Sequence, residues 1–329
     1  FGMALAVVAG AFLLQVSGVA DYYMALVFPP SPIDSAYLKG KYSQGKPVRI
    51  LLVPGHNTNI RGTYYDGLWE RDLNIELSEK LYALLAPDPH FQVFITQNRD
   101  GFLPEFANYF TDRAGIRTFR EGFRTVMRGL LGTGAVERKI AVHHNSVSSD
   151  VGNELYGINK WTHDNRVDIV VHIHFNDYPG RPSRAPGEYS GFTIYIPDRQ
   201  FPNFEASADI AHSLANELGR FFPKSDLPQE SAGIVEDQDL IAVGANASLQ
   251  SAGILVEYGY IYESQFVDAS VRRLALSELA QETYNGLKRY FEGPGARVKD
   301  VASLPYLWTR PIDAGAKKEP DIFALQMAL

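Results

Sequence analysis

With 329 residues, the chain has length for one large domain plus appendages, or for two domains. Its 31 basic and 38 acidic residues leave a net charge of −7, which argues against general nucleic-acid binding, since that wants a basic surface. There is no cysteine, so disulfides, thiolate metal sites and a cysteine nucleophile are excluded, and any metal must be held by nitrogen and oxygen, for which 8 histidines are available.

In chain order, Phe1 to Ala20 (FGMALAVVAGAFLLQVSGVA) carries no charged residue and has about the 20 residues a helix needs to cross a bilayer core. Residues 1–30 are therefore assigned to a membrane anchor or a signal segment. The first charges downstream are Asp21 and Asp34, with Lys39 and Lys41 later, and this scarcity of positive charge puts that side outside the cytoplasm. Gly18 and Ala20 suit a signal-peptidase cut, so a signal-anchor and a cleaved export signal both stand. Residues 31–46 read as a linker.

Val48 to Val53 is a nearly continuous apolar run, the pattern of a strand covered on both faces, and it stops at Pro54-Gly55. His56 thus follows a strand's carboxyl end. From Trp69, the residues Leu73, Leu77, Leu81 and Leu84 recur at helical spacing and place Glu70 in the first turn of an amphipathic helix. Singly, each is ordinary: a carboxylate there is favoured by the helix dipole, and a histidine after a strand is often a loop residue. Together they enter one crevice at the strand ends, where open α/β sheets place their sites. Phe91 to Thr96 reads as a second strand, completing a βαβ unit and implying a parallel sheet.

Residues 102–158 depart from this rhythm as a helical insertion. Phe119, Phe123, Met127 and Leu130 follow helical spacing beside Arg113, Arg117, Arg120, Arg124 and Arg128. Three readings stand for this basic amphipathic helix: a solvated outer face, a cap over the cleft that a protein activator moves aside, or a surface resting on anionic membrane or wall polymer. His143 and His144 fall in a polar loop and read as surface residues.

Val167 to Ile173 is a third buried strand ending in HIHFND, with His172 and His174 on one face and Asn176 following. Gly191 to Pro197 reads as a strand and Ala206 to Phe222 as a helix ended by Pro223; Leu240 to Val243 reads as extended. Gly253 to Tyr258 is the last buried strand and carries Glu257, a carboxylate that is costly to bury without a partner. A final helix spans roughly Val267 to Phe291, with Leu274 and Leu287 inward, before a tail at 293–329.

Four motifs, PGH at Pro54 to His56, WERDLN at Trp69 to Asn74, HIHFN at His172 to Asn176 and LVEYGYI at Leu255 to Ile261, resemble in order and context the zinc-dependent N-acetylmuramoyl-L-alanine amidases of the bacterial cell wall. The resemblance spans about residues 48 to 291. It implies a single α/β domain, here residues 47–292, with a twisted, mainly parallel sheet between helices. It also implies that His56, Glu70 and His174 bind Zn2+ and that Glu257 is the catalytic carboxylate. Two histidines and a carboxylate leave zinc an open position for water, whose pKa falls from about 15.7 to roughly 7 on binding, with Glu257 as proton carrier. The implied substrate is peptidoglycan, cut between N-acetylmuramic acid and L-alanine by an enzyme anchored facing outward or exported to the periplasm or wall.

Three departures stand out. His172 replaces the family's usual serine and is either a support to the ligands or a fourth ligand. The family's arginine before the third strand has no match unless Arg166 takes the role, and Gly-Phe after the glutamate is Gly259-Tyr260. Asn176 is placed to hydrogen-bond a ligand or the substrate, and asparagine there is also a common turn former. Two other functions remain open at this point: a carboxypeptidase-like zinc amidohydrolase for small acylated amino acids, for which His172 and His174 leave room, and a non-catalytic wall-binding protein.

Overall fold

The structure is a computed structural model, and it describes residues 33–139, 147–178, 180–182, 184–245, 247, 249–293, 322, 323 and 325. The apolar segment Phe1 to Ala20, His143-His144 and nearly all of the tail beyond residue 293 lie outside the described residues. Among those described, no helix is long and apolar enough to cross a membrane.

The architecture is three-layered α/β. Strands β1 (Val48–Pro54), β4 (Phe91–Ile95), β7 (Ile169–Asn176), β8 (Thr193–Pro197), β9 (Ile234–Asp237) and β10 (Ala252–Tyr260) form one sheet in the order β4-β1-β7-β10-β8-β9. The first four in that order run parallel, and β10 meets β8 antiparallel. The short pairs β2 (Tyr64–Tyr65) with β3 (Leu68–Trp69), and β5 (Gln97–Asn98) with β6 (Gly101–Phe102), stand apart from it. The mainly parallel sheet implied by the sequence is thus present, with β8 and β9 reversed at one edge.

Period-two alternation divides the strands between two faces. Val48, Ile50, Leu52, Ile169, Val171, Ile173, Ile254 and Val256 face α1 (Ser35–Ser43), α2 (Glu70–Leu85), α6 (Phe204–Leu218) and α8 (Ala269–Glu292). Leu51, Val53 and Val170 face α3 (Pro104–Tyr109) and α5 (Ser149–Asp164). Covering on both sides explains the unbroken apolar runs of β1 and β10. On α2, Leu73, Leu77 and Leu81 are buried as the spacing predicts, each contributing about 1.5–3 kcal/mol relative to exposure. Leu85 completes that stripe while Leu84 is half-buried.

Several sequence expectations change. The segment read as a linker holds α1, whose Leu38 and Tyr42 are buried, with Tyr42 stacked on His90 and Phe291. Leu240 to Val243 is a turn, and the strand lies just before it at Ile234–Asp237; the apolar character of the turn serves a small cluster with Tyr195 and Leu255. The inward face of α8 falls on Leu276, Leu279 and Leu287, with Leu274 half-buried. In the insertion, α4 (Arg113–Thr133) buries Phe119, Phe123, Met127 and Leu130 against Phe201 and Leu249, and ends at Gly134 in a left-handed cap. Beside it, α5 begins within the stretch read as a polar loop, capped by the Ser148 hydroxyl. A last short helix, α7 (Ser264–Val267), leads into α8.

Candidate metal centre

At the carboxyl ends of β1 and β7 the chain brings together His56, Glu70 and His174, whose ligand atoms all lie within 4.8 Å of one another. Glu70 opens α2 and is buried. Its Oε2 is 2.8 Å from His56 Nε2, and its Oε1 is 3.0 Å from His174 Nδ1. The backbone N–H of Thr63 donates to Oε2 at 3.1 Å, which fixes the carboxylate plane.

His56 reaches the cage through an unusual backbone. Its φ of 66° is left-handed, at a cost of about 1–2 kcal/mol for a residue with a Cβ. Gln97 holds it there by donating from Nε2 to the carbonyls of Pro54 and His56, while Asn74 Nδ2 donates to Gly55 O. Two glycines make room. A Cβ on Gly55 would lie 2.2 Å from His174 Cε1, and one on Gly62, itself at φ +78°, would lie 2.4 Å from Glu70 Oε2.

The charges are mutually dependent. Burial opposes ionisation of Glu70, yet His56 and His174 override it and hold the carboxyl well below the usual range. Burial likewise works against charge on His56, and Glu70 overrides it to raise the imidazole pKa. Two neutral imidazoles and a carboxylate, gathered on one side of a cleft, are a donor set suited to zinc with a coordination position left open. Sequence and geometry therefore agree on the fit.

Glu257 pairs across the sheet with His174. It is half-buried as a residue, but its Oε2 is fully covered and without a hydrogen-bond partner. Burial pushes its pKa up, and the nearby carboxylates of Glu70 and Glu230 push it further. A carboxyl so placed takes up a proton readily.

A sequence profile described as N-acetylmuramoyl-L-alanine amidase matches residues 50–289. The chain belongs to that amidase family. Among solved structures, the amidase is similar to N-acetylmuramoyl-L-alanine amidase from Clostridium difficile 630, at 16% identity and a TM-score of 0.47, covering 76% of this chain and 99% of that one. Similarity extends to the CwlD amidase of Clostridioides difficile, solved in complex with the GerS lipoprotein, at 14% identity, TM-score 0.48 and coverage of 74% and 98%. It extends also to Ami1 of Mycobacterium smegmatis at 14%, 0.47, 74% and 97%. No curated protein matches the amidase in sequence.

The remaining sequence candidates fall out as follows. His172 is not in the cage; it is 2% exposed, and burial together with the charge of His174 lowers its pKa to about 3. Asn176 supports the site from behind: its Nδ2 donates to both oxygens of Glu230 at 2.9 and 3.1 Å, and its Oδ1 accepts from Asp177 N, so its polar atoms face protein. Arg166 is exposed in the turn before β7, roughly 25 Å of strand from His174 at about 3.3 Å per residue. It lies at the opposite end of that strand from the cage. Among the described residues lining the pocket beside the cage none comes from α4, and α5 forms that wall.

Three supporting groups are added by the structure. Glu230 is buried in a loop and accepts from Asn176, Tyr195 OH, Ser225 Oγ and Tyr260 OH. Asp177 accepts from Thr63 Oγ1 at 2.5 Å and from Arg181 at 2.6 and 2.8 Å, and the Arg181 guanidinium lies between the rings of Tyr65 and Tyr262. Asn57 Nδ2 donates to Glu154 on α5 at 2.6 Å. Of these, Asn57, next to His56, and Asp177, the last residue of HIHFND, are positions that motif inspection reaches, whereas Glu230 and Arg181 are not.

Proposed function

We propose that the chain is a zinc-dependent hydrolase of the amide between the lactyl group of N-acetylmuramic acid and L-alanine in peptidoglycan. What carries the reading is the convergence of His56, Glu70 and His174 with Glu257 paired across the sheet from His174. An unactivated amide resists hydrolysis because water is a poor nucleophile and an amine a poor leaving group. Zinc, when bound, supplies the Lewis acidity that makes water a nucleophile near neutral pH and polarises the carbonyl. His56 and His174 provide the nitrogen donors and Glu70 the oxygen donor. Glu257 takes the proton from the attacking water and returns it to the departing nitrogen, a shuttle that its covered Oε2 and raised pKa favour. Thr63 N and the Asp177–Arg181 pair hold Glu70 in plane. On this reading Phe1 to Ala20 delivers the domain to the wall side of the membrane, as an anchor or as a cleaved signal.

The test is digestion of purified peptidoglycan with zinc-loaded protein and mass spectrometry of the products. Free stem peptides beginning at L-alanine are expected, with small N-acyl amino acids left intact. Glu257→Gln should keep zinc and lose turnover by about 10²-fold or more, whereas Glu70→Gln should lose zinc. Products retaining the muramoyl–alanine link, or a fully active Glu257→Gln variant, would overturn the assignment.

A further inference from the structure

Helix α4 takes no part in the proposed chemistry, yet its arginines are ordered. Arg113, Arg117, Arg120, Arg124 and Arg128 follow one another at intervals of four, three, four and four residues. At about 100° per residue they fall within an arc of about 80°, and at about 1.5 Å per residue they make a row about 22 Å long. The row is set roughly a quarter turn from the buried face that carries Phe119, Phe123 and Leu130, so it follows the seam with α5 and not the crest of the helix. On that seam Arg113 Nη2 is 3.0 Å from Asp150, and the guanidinium groups of Arg120 and Arg124 each lie 5.6 Å from the ring of buried Tyr156. Contact with that ring holds two planar forks in place beside each other.

The charge of the row is not balanced locally. Two carboxylates serve three of its members: Asp150 pairs with Arg113 at 3.0 Å, and Glu121 pairs with Arg120 and Arg124 at 2.9 and 3.5 Å. Among the described residues Arg117 and Arg128 have no carboxylate partner, and Arg128 donates instead to the Arg124 carbonyl and the Thr125 hydroxyl. A chain of net charge −7 repels polyanions in general, so a cationic row this dense decides where one can lie.

The shape of the row argues for a linear polymer over a bilayer. An interfacial helix enters lipid by its apolar face, and that of α4 is spent on Phe201 and Leu249. The crest holds Ala114, Thr118, Glu121 and Thr125, none of them a large apolar residue to insert. A guanidinium fork matches a carboxylate, and neighbouring forks on one helix face stand about 5–6 Å apart, which suits anions repeated along a flexible chain. Peptide stems supply such anions from their chain ends and acidic side chains. The row also starts beside the cleft: Asp150 is followed by Val151, which with Glu154 lines the cavity next to His56 and His174.

We propose that the arginine row of α4 is a docking surface for peptidoglycan away from the bond that is cut, on which Arg117, Arg124 and Arg128 pair with free carboxylates of successive peptide stems. It rests on the proposed amidase reading for the identity of the polymer alone. Docking there keeps the enzyme on the strand between cuts, so it raises turnover on the polymer and leaves turnover on a single muramoyl-peptide unchanged.

The test is co-sedimentation of the full chain with insoluble peptidoglycan in chelator, where nothing is cut. Combining Arg117→Gln, Arg124→Gln and Arg128→Gln should weaken binding about tenfold or more and flatten its dependence on salt. Capping the stem carboxylates as methylamides should weaken the native chain to the same degree, a result independent of how the variant folds, and should leave the variant indifferent. Vesicles of phosphatidylcholine and phosphatidylglycerol should retain the two proteins equally. With zinc, the variant should lose rate on the polymer and match the native chain on a soluble muramoyl-dipeptide. Equal sedimentation of the two proteins with peptidoglycan, indifference of the native chain to capping, or a defect confined to vesicles overturns the docking surface. Arginine-dependent binding with no hydrolysis in the zinc form would sink the amidase reading and leave the surface standing, and hydrolysis with arginine-independent binding would do the reverse.

Discussion

Gly55→Ala tests the cage with a single methyl group. The residue is not at positive φ, so alanine meets no backbone penalty, and the effect is confined to what the new carbon touches. That carbon would lie 2.2 Å from His174 Cε1, 2.4 Å from Nε2 and 2.6 Å from Nδ1, against the 3.4 Å at which ordinary contact begins. The imidazole must therefore withdraw by about 1.2 Å or the β1 turn must open. Over-packing of this kind costs about 1–3 kcal/mol of stability. Displacement of one donor of three should weaken zinc roughly 10- to 100-fold, the range seen when the support of a metal ligand is disturbed, or about 1.4–2.7 kcal/mol. Competition with a chromophoric chelator measures the affinity, and thermal unfolding with and without zinc shows how much of the loss belongs to the fold. A variant that binds zinc as tightly as the native chain would show that His174 is not a ligand.

The metal-free protein should carry a pH signature. His56 has a pKa raised above 6.5, so stability from its charged form is fully present below that pH and is lost as pH rises through the higher folded value. Glu70 has a pKa lowered below 4.5, so its contribution is present above that pH and is lost as pH falls through the lower folded value. Glu257, its pKa raised well above 4.5, makes stability fall as pH rises from that unfolded value, because the fold retains a proton that the unfolded chain has released. Unfolding temperature in chelator should therefore peak near pH 4.5 and fall above it, more steeply beyond 6.5, whereas the zinc form should go on gaining as the imidazoles deprotonate; matching profiles would deny the ion these ligands. Arg181→Met should cost about 3 kcal/mol by stranding Asp177 and should lower zinc affinity through Thr63, to be read by denaturant titration and the chelator assay. Phe123→Ala should cost about 3–5 kcal/mol without raising turnover per folded molecule; an activity gain would give α4 the role of a cap.

The chemistry-bearing side chains were legible because each sits at the end of a strongly patterned element. Apolar runs closed by Pro54-Gly55 and by Gly259 mark strands covered on both faces, and the leucine spacing of α2 places Glu70 at its start. Where pattern failed, the physics is local. Strand β9 is four residues long and half acidic, whereas the apolar Leu240 to Val243 packs as a turn. Helix α5 has Asp150, Asn153, Glu154, Asn159 and Lys160 scattered among its apolar residues, so its periodicity is weak until Trp161 and Ile158 meet the sheet. The left-handed His56 and the buried Glu230 depend on long-range partners, Gln97 in one case and two tyrosines in the other, that no window along the chain contains.

Strand β10 is the last of the six to leave the ribosome, yet it occupies an interior slot between β7 and β8. A nascent chain that stops short of it holds His56, Glu70 and His174 but lacks Glu257, and it presents two open sheet edges where that strand belongs. Closing the sheet and bringing Glu257 beside His174 are therefore a single event, and any truncation before Ala252 removes both at once.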